Sequence, residues 1–183
     1  MNKVFIFLAD GYEEIEGLTV VDLLRRADIS TVMVSVSNSK RIIGAHHIEV
    51  EADIMFHEVL EPEGAMYVLP GGMPGTTTLK EHKGLEKLLK KAYKNDKYIA
   101  AICAAPTILE KYGMLEGRNA TCYPALAEEL KSANYQTEAV VVDGKVITSR
   151  GLGTAIEFAG KLVEELKGTQ AKDELFKSIV YGE

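Results

Sequence analysis

Lys97-Tyr-Ile-Ala-Ala-Ile-Cys-Ala-Ala-Pro-Thr-Ile-Leu-Glu-Lys-Tyr112 joins two patterns in one stretch. Its first part, Lys97–Ile102, is short, apolar and rich in Ile and Ala, as a buried strand is. Its second part, Ala104–Tyr112, is spaced as a helix. Pro106 suits the first turn of that helix, where its missing N–H removes no intrahelical bond. Cys103 therefore stands on a strand-to-helix turn, aimed outward beyond the carboxyl end of a sheet. It also lies beside the free N–H groups and positive end of the following helix, and both effects favour thiolate. The small neighbours Ala101, Ala104 and Ala105 suit a cramped cysteine nucleophile elbow, although the Gly-x-Ser-x-Gly pattern is absent. A buried cysteine taken at random is more often an inert core residue; the position on the turn favours a reactive one.

Working outward, strand and helix patterns alternate. Val4–Ala9 reads as a strand and Glu14–Ala27 as an amphipathic helix with Ile15, Leu18, Val21 and Leu24 inward. Thr31–Val36 is a β-branched strand, and Arg41–Ile43 with Ile48–Glu51 forms a small two-stranded excursion. Ala65–Leu69 is a buried strand ended by Pro70-Gly-Gly-Met-Pro-Gly75, after which Leu85, Leu88, Leu89 and Ala92 repeat at helical spacing. Asn119–Cys122 and Glu138–Val142 carry weaker strand patterns. Asp143-Gly144 is a hairpin turn leading into Val146–Ser149. A helix follows with Ala155, Phe158, Ala159, Leu162, Val163 and Leu166 on one stripe, then a last helix over Ala171–Ile179. This alternation predicts an α/β fold with a mainly parallel central sheet and helices on both faces, in one domain spanning 1–183.

In such sheets ligands bind outside the carboxyl ends of the strands. Three loops are thus singled out: Asp10–Glu16, Pro70–Gly75 and the Cys103 turn. Gly71-Gly72 lets backbone N–H groups approach a ligand closely, so it serves either as an oxyanion or carboxylate cradle or as a bare turn. Glu13 and Glu14 lie where a helix dipole alone favours carboxylates. Glu16 lies among Ile15, Gly17 and Leu18, and partial burial there would raise its pKa. Protonated, it could donate to a nearby thiolate; ionised, it could shuttle protons. Arg150-Gly-Leu-Gly-Thr154 fails the dinucleotide pattern and reads as a tightly packed helix start.

Composition excludes several classes. The 183 residues are 46% hydrophobic and 26% charged, as in ordinary globular domains. No apolar run approaches the roughly 20 residues of a membrane span. The opening Met1–Ala9 lacks the length and cleavage region of a signal peptide, which predicts a cytoplasmic protein. A net charge of −6 speaks against nucleic-acid binding. His46, His47, His57 and His82 show no ligand spacing, so no metal is expected. Cys103 and Cys122 are expected as free thiols, Cys122 either a core residue at a strand end or a second reactive thiol.

Four motifs, Ala9-Asp-Gly-Tyr-Glu-Glu-Ile-Glu16, Val68-Leu-Pro-Gly-Gly72, Ala100-Ala-Ile-Cys-Ala-Ala-Pro-Thr107 and Thr148-Ser-Arg-Gly-Leu-Gly-Thr154, occur in that order. With them the chain resembles the ThiJ/PfpI superfamily nearly end to end. It looks closest to the branch holding the parkinsonism-associated deglycase and the bacterial ThiJ-like chaperones. The resemblance implies a flavodoxin-like three-layer sandwich and a homodimer. It implies Cys103 as nucleophile and oxidation-sensitive thiol, with Glu16 as the buried acid bonded to it. Gly72 and Ala104 would give the N–H groups of an anion pocket. Tyr123, in Thr121-Cys-Tyr-Pro124, stands where part of the family has histidine, and Ala104 stands where the protease-like branch has one. A phenol hydrogen-bonds but is a poor base near neutral pH. His46 appears where related chains carry an arginine near the dimer-facing pocket.

The expected function is a cofactor-free, cysteine-dependent enzyme acting on a small-molecule carbonyl substrate or a glycated adduct, of glyoxalase or deglycase type. Catalysis would rest on Cys103 and Glu16, with Gly72, Ala104 and Tyr123 binding substrate. The alternative is an oxidative-stress sensor or chaperone working through oxidation of Cys103. An amidase or peptidase is a more distant alternative, for want of a histidine base.

Overall fold

The computed structural model describes residues 3–59 and 64–182; Met1 and Asn2, which open the apolar amino-terminal stretch, lie outside them. Strands β1 (Lys3–Leu8), β2 (Thr31–Ser35), β5 (Ile54–Met55), β6 (Gly64–Leu69), β7 (Tyr98–Ile102), β10 (Val140–Asp143) and β11 (Val146–Ser149) form one sheet. Its order is β10-β11-β7-β6-β1-β2-β5. Every pairing is parallel except β10 with β11, the hairpin that turns at Asp143-Gly144. Two smaller pairs stand apart: β3 (Arg41–Ile43) with β4 (Glu49–Glu51), and β8 (Asn119–Ala120) with β9 (Asn134–Tyr135).

Helices cover both faces of the large sheet. Val4, Ile6 and Leu8 of β1 point into one core, with α1 (Glu14–Arg26), α5 (Ala155–Lys167) and α6 (Thr169–Ser178). Phe5 and Phe7 point into the other, with α2 (Gly75–Glu81), α3 (Lys83–Lys94) and α4 (Pro106–Lys111). A strand buried on both sides must be apolar throughout, which is why β1 and β7 carry unbroken hydrophobic runs instead of alternation. The result is the expected three-layer α/β sandwich with a mainly parallel sheet.

Three details depart from the pattern reading. Ile15 is exposed, and the inward stripe of α1 is Gly17, Val20, Val21 and Leu24. The first turn of α1 faces the end of the sheet instead of its apolar face, so it buries Glu14 and Glu16. Asn119–Cys122 supplies only the two-residue β8, paired outside the main sheet. Helix α2 was hidden by its run of three threonines, since β-branched residues are weak helix formers.

The chain passes from β1 to β2 on one side and later to β6 on the other. That reversal opens a crevice beyond the carboxyl ends of β1 and β6. The loops there, and the turn after β7, are the three singled out by sequence.

Candidate active site at Cys103

Strand β7 ends at Ile102, and the chain turns at once. Cys103 has φ 64°, in the left-handed region. A non-glycine residue there costs on the order of 1–2 kcal/mol and persists only where its surroundings hold it. Two hydrogen bonds do so: its N–H donates to Ser149 O at 3.0 Å, and its carbonyl accepts from Tyr123 N–H at 2.8 Å. Pro106 begins α4, as its ring geometry favours. The strained turn is the elbow expected from sequence, and it leaves the thiol half-buried.

Glu16 reaches this thiol from α1. Its side chain is 1% exposed, and Oε2 accepts from Gly71 N–H at 2.9 Å. A Cβ on Gly71 would lie 2.7 Å from both Cys103 Cβ and Glu16 Oε2, so only glycine lets the three meet. Burial pushes the Glu16 carboxyl up to about 7; the hydrogen bonds with Cys103 and Gly71 N–H oppose that, and the Glu13 charge adds to it. Burial also pushes the Cys103 thiol up, to about 12, together with the charge and hydrogen bond of an ionised Glu16; N–H groups of Ala104 and Gly72 pull it down. The helix-end argument for an acidic thiol is therefore outweighed here. Helix α4 has only six residues, and the dominant neighbour is a carboxylate. Sulphur and carboxyl face each other; near neutral pH the raised thiol keeps its proton and the carboxyl is the group that titrates. With the proton on Glu16 the opposing charge disappears, and the carboxylic O–H donates to sulphur.

The remaining residues assemble as follows. Gly72, φ 90°, and Ala104 bring their N–H groups to the sulphur. Tyr123 is half-exposed, with its ring at the same edge. Gly151, read from sequence as part of a helix start, proves to border the site. The position that its Cβ would fill lies 3.6 Å from Tyr123 Cδ2, 3.9 Å from Glu16 Oε1 and 4.0 Å from Cys103 Sγ. These are ordinary contact distances, so a carbon atom fits there against both the Cys103 thiol and the Glu16 carboxyl. The parallel register that sets Ser149 beside Ile102 brings Gly151 here, a long-range pairing with no local signature. Cys122 is fully buried in the opposite core, its thiol pushed up to about 11 first by burial, which matches the core-residue alternative.

For Glu14 the sequence offers only the helix dipole as a reason for a carboxylate; the side chain is in fact 2% exposed. Its Oε1 accepts from His46 N–H at 2.7 Å, and its Oε2 lies 3.0 Å from His46 Nδ1. Burial pushes this carboxyl up, but hydrogen bonds from its own N–H and from the ring and backbone of His46 prevail, and it titrates low. A Cβ on Gly44 would collide with it. Glu13, Glu14 and His46 offer three possible metal-ligand atoms within 4.8 Å of one another. Glu14 already spends its oxygens on the β3–β4 turn, and His46 is an exposed ion-pair partner. Among the described residues, no helix is long and apolar enough to cross a membrane.

Known proteins resemble the chain in sequence and in fold. The chain is 36% identical over 182 residues to "Protein dj-1beta" of Drosophila melanogaster, covering 98% of this chain and 97% of that protein. It is 33% identical over 180 residues to the Caenorhabditis elegans protein named "Glutathione-independent glyoxalase DJR-1.2", covering 97% and 95%. "Protein DJ-1 homolog B" of Arabidopsis thaliana is 39% identical over 98% of this chain, but the chain spans only 41% of that longer protein. The structure of oxidized Toxoplasma gondii DJ-1 superposes with a TM-score of 0.97 at 32% identity, covering all of both chains. The sequence model of the DJ-1/PfpI family matches residues 2–165, and the chain belongs to that family.

Proposed function

We propose that the protein is a cofactor-free enzyme that converts small α-oxoaldehydes, or the adducts they form by glycation, into hydroxy acids. The observation that carries this reading is the contact of Cys103 with a buried acid and two backbone N–H groups, beside a position where a carbon atom fits at ordinary contact distance. Ionised Glu16 takes the thiol proton as sulphur adds to the aldehyde carbon, and the N–H groups of Gly72 and Ala104 bond to the developing oxyanion. The Glu16 carboxyl passes that proton to the oxyanion, which gives a hemithioacetal. Glu16 then removes the proton from the carbon bonded to sulphur and returns it to the adjacent carbon, which leaves a thioester. Water cleaves the thioester, releasing the 2-hydroxy acid and the free thiol. The oxidation of one carbon balances the reduction of its neighbour, so no external oxidant is needed. A carboxyl pushed up to about 7 is suited to both proton transfers near neutral pH. The glyoxalase name of the nematode relative supports the reading.

Incubation with methylglyoxal, following lactate, is the direct test. Cys103→Ala is expected to abolish turnover, and Glu16→Gln to lower kcat by about 10²–10⁴-fold. Lactate production that survives in Cys103→Ala would remove the reading.

A second reading has its own support. The same N–H groups and a protonated Glu16 are placed to bond the oxygens of a Cys103 sulfinic acid, the state an oxidative-stress sensor or chaperone would use. Mass spectrometry after mild peroxide is expected to find two added oxygens on Cys103. Oxidation of Cys122 with Cys103 untouched would reject it. Peptidase chemistry has less support: among the described residues, the groups acting on Cys103 include no imidazole.

The proposed partner is a second copy of the chain. Ile15, Ile43 and Ile48 are all exposed, and Glu14 ties the segments that carry them together.

A further inference from the structure

Exposed apolar side chains scattered over a surface need no account. Met73, Tyr123 and Leu152 are exposed at 62%, 49% and 50%, but they are not scattered. Met73 follows Gly72, whose N–H acts on the thiol. Leu152 follows Gly151, whose Cβ position lies 4.0 Å from Sγ. Tyr123 borders that same position and holds the Cys103 carbonyl through its N–H. Three separate loops thus each carry a large exposed apolar residue at, or next to, a residue that borders Cys103.

The charged groups nearest the sulphur are negative. Glu16 faces it, and the charge of Glu13 acts on Glu16 in turn. A substituent bearing carboxylate or phosphate would be repelled there, whereas an apolar one would lose water against Met73, Tyr123 and Leu152. The position beside Gly151 accepts a carbon atom at ordinary contact distance from Tyr123, Glu16 and Cys103, and a larger substrate would extend from it over these side chains.

We propose that Met73, Tyr123 and Leu152 form an apolar collar that selects uncharged α-oxoaldehydes with an aryl or branched alkyl substituent over methylglyoxal. This rests on the catalytic reading above and names its substrate class. The test compares kcat/KM for phenylglyoxal and methylglyoxal in the wild type, Met73→Ser and Leu152→Ser. A methylene-sized contact in an apolar pocket is worth about 10–200-fold in discrimination. The wild type is expected to prefer phenylglyoxal, and each variant to lower the phenylglyoxal-to-methylglyoxal ratio by about tenfold. Val142→Ser, which removes an exposed apolar residue of β10, should leave the ratio as it is.

A readout without turnover separates the collar from the chemistry. The rates of Cys103 alkylation by N-benzyl iodoacetamide and by iodoacetamide are compared, each referred to a free thiol. The wild type should favour the benzyl reagent, and Met73→Ser and Leu152→Ser should reduce that preference severalfold. Absence of turnover with preference intact would sink the catalytic reading and keep the collar. Ratios unchanged by both variants, in turnover or alkylation, would overturn the collar.

Discussion

Glu16 is the buried acid beside Cys103, and its environment can be read from the pH dependence of folding. Its carboxyl is pushed from an ordinary 4.5 up to about 7, first by burial. The folded chain therefore holds the proton more tightly than the unfolded chain does. That contribution favours folding fully below about 4.5 and is lost as pH rises towards 7. It amounts to something on the order of 3 kcal/mol. Glu16→Gln keeps the shape and removes the titration, so the variant should gain stability relative to wild type across this range. Urea unfolding of both proteins at about pH 4.5 and pH 8 measures the difference. A difference that stays flat would mean the carboxyl is not raised. Cys103 was legible at this scale because Pro106 and the small residues around it mark the turn locally. The balance between sulphur and acid was not, since it depends on two groups brought together by the fold.

At the scale of elements, Glu14 acts as a clamp between α1 and the β3–β4 hairpin. It accepts hydrogen bonds from the backbone N–H of His46 and of Ile48, at 2.7 and 3.4 Å. Removing it strands half-buried donors, each costing about 1–3 kcal/mol. Glu14→Ala should lower stability by about 2–4 kcal/mol and speed amide hydrogen exchange at His46–Ile48. Exchange that is unchanged there would show the hairpin to be held by other contacts. Sequence singled out both partners, but as separate features: a dipole-favoured acid and a histidine standing where related chains carry an arginine. The error over Ile15 has the same root. A helix normally points its apolar residues at the sheet, and here the first turn of α1 overhangs the sheet end, where buried carboxylates replace them. Periodicity reports which residues could face a core, and not where along a helix the core stops.

For the whole molecule, strand and helix alternation was enough to reveal the layered sheet, because parallel strands buried on both faces must be apolar along their length. The edge strand β5 and the pairing of β8 with β9 were less legible: two-residue strands carry no period. The assembly proposal belongs at this scale. Sedimentation velocity at micromolar concentration should show a dimer, and Ile15→Asp combined with Ile48→Asp should yield a folded monomer. A wild type that sediments as a monomer would exclude this face as an interface.

The left-handed backbone of Cys103 has a consequence for any search for sturdier variants. Glycine adopts that conformation without steric cost, whereas alanine does not. Cys103→Gly should therefore melt above Cys103→Ala, by about 2–4 °C for each 1 kcal/mol of strain relieved in a chain of this length. Selection for thermal endurance alone would drift towards an inert glycine at this position.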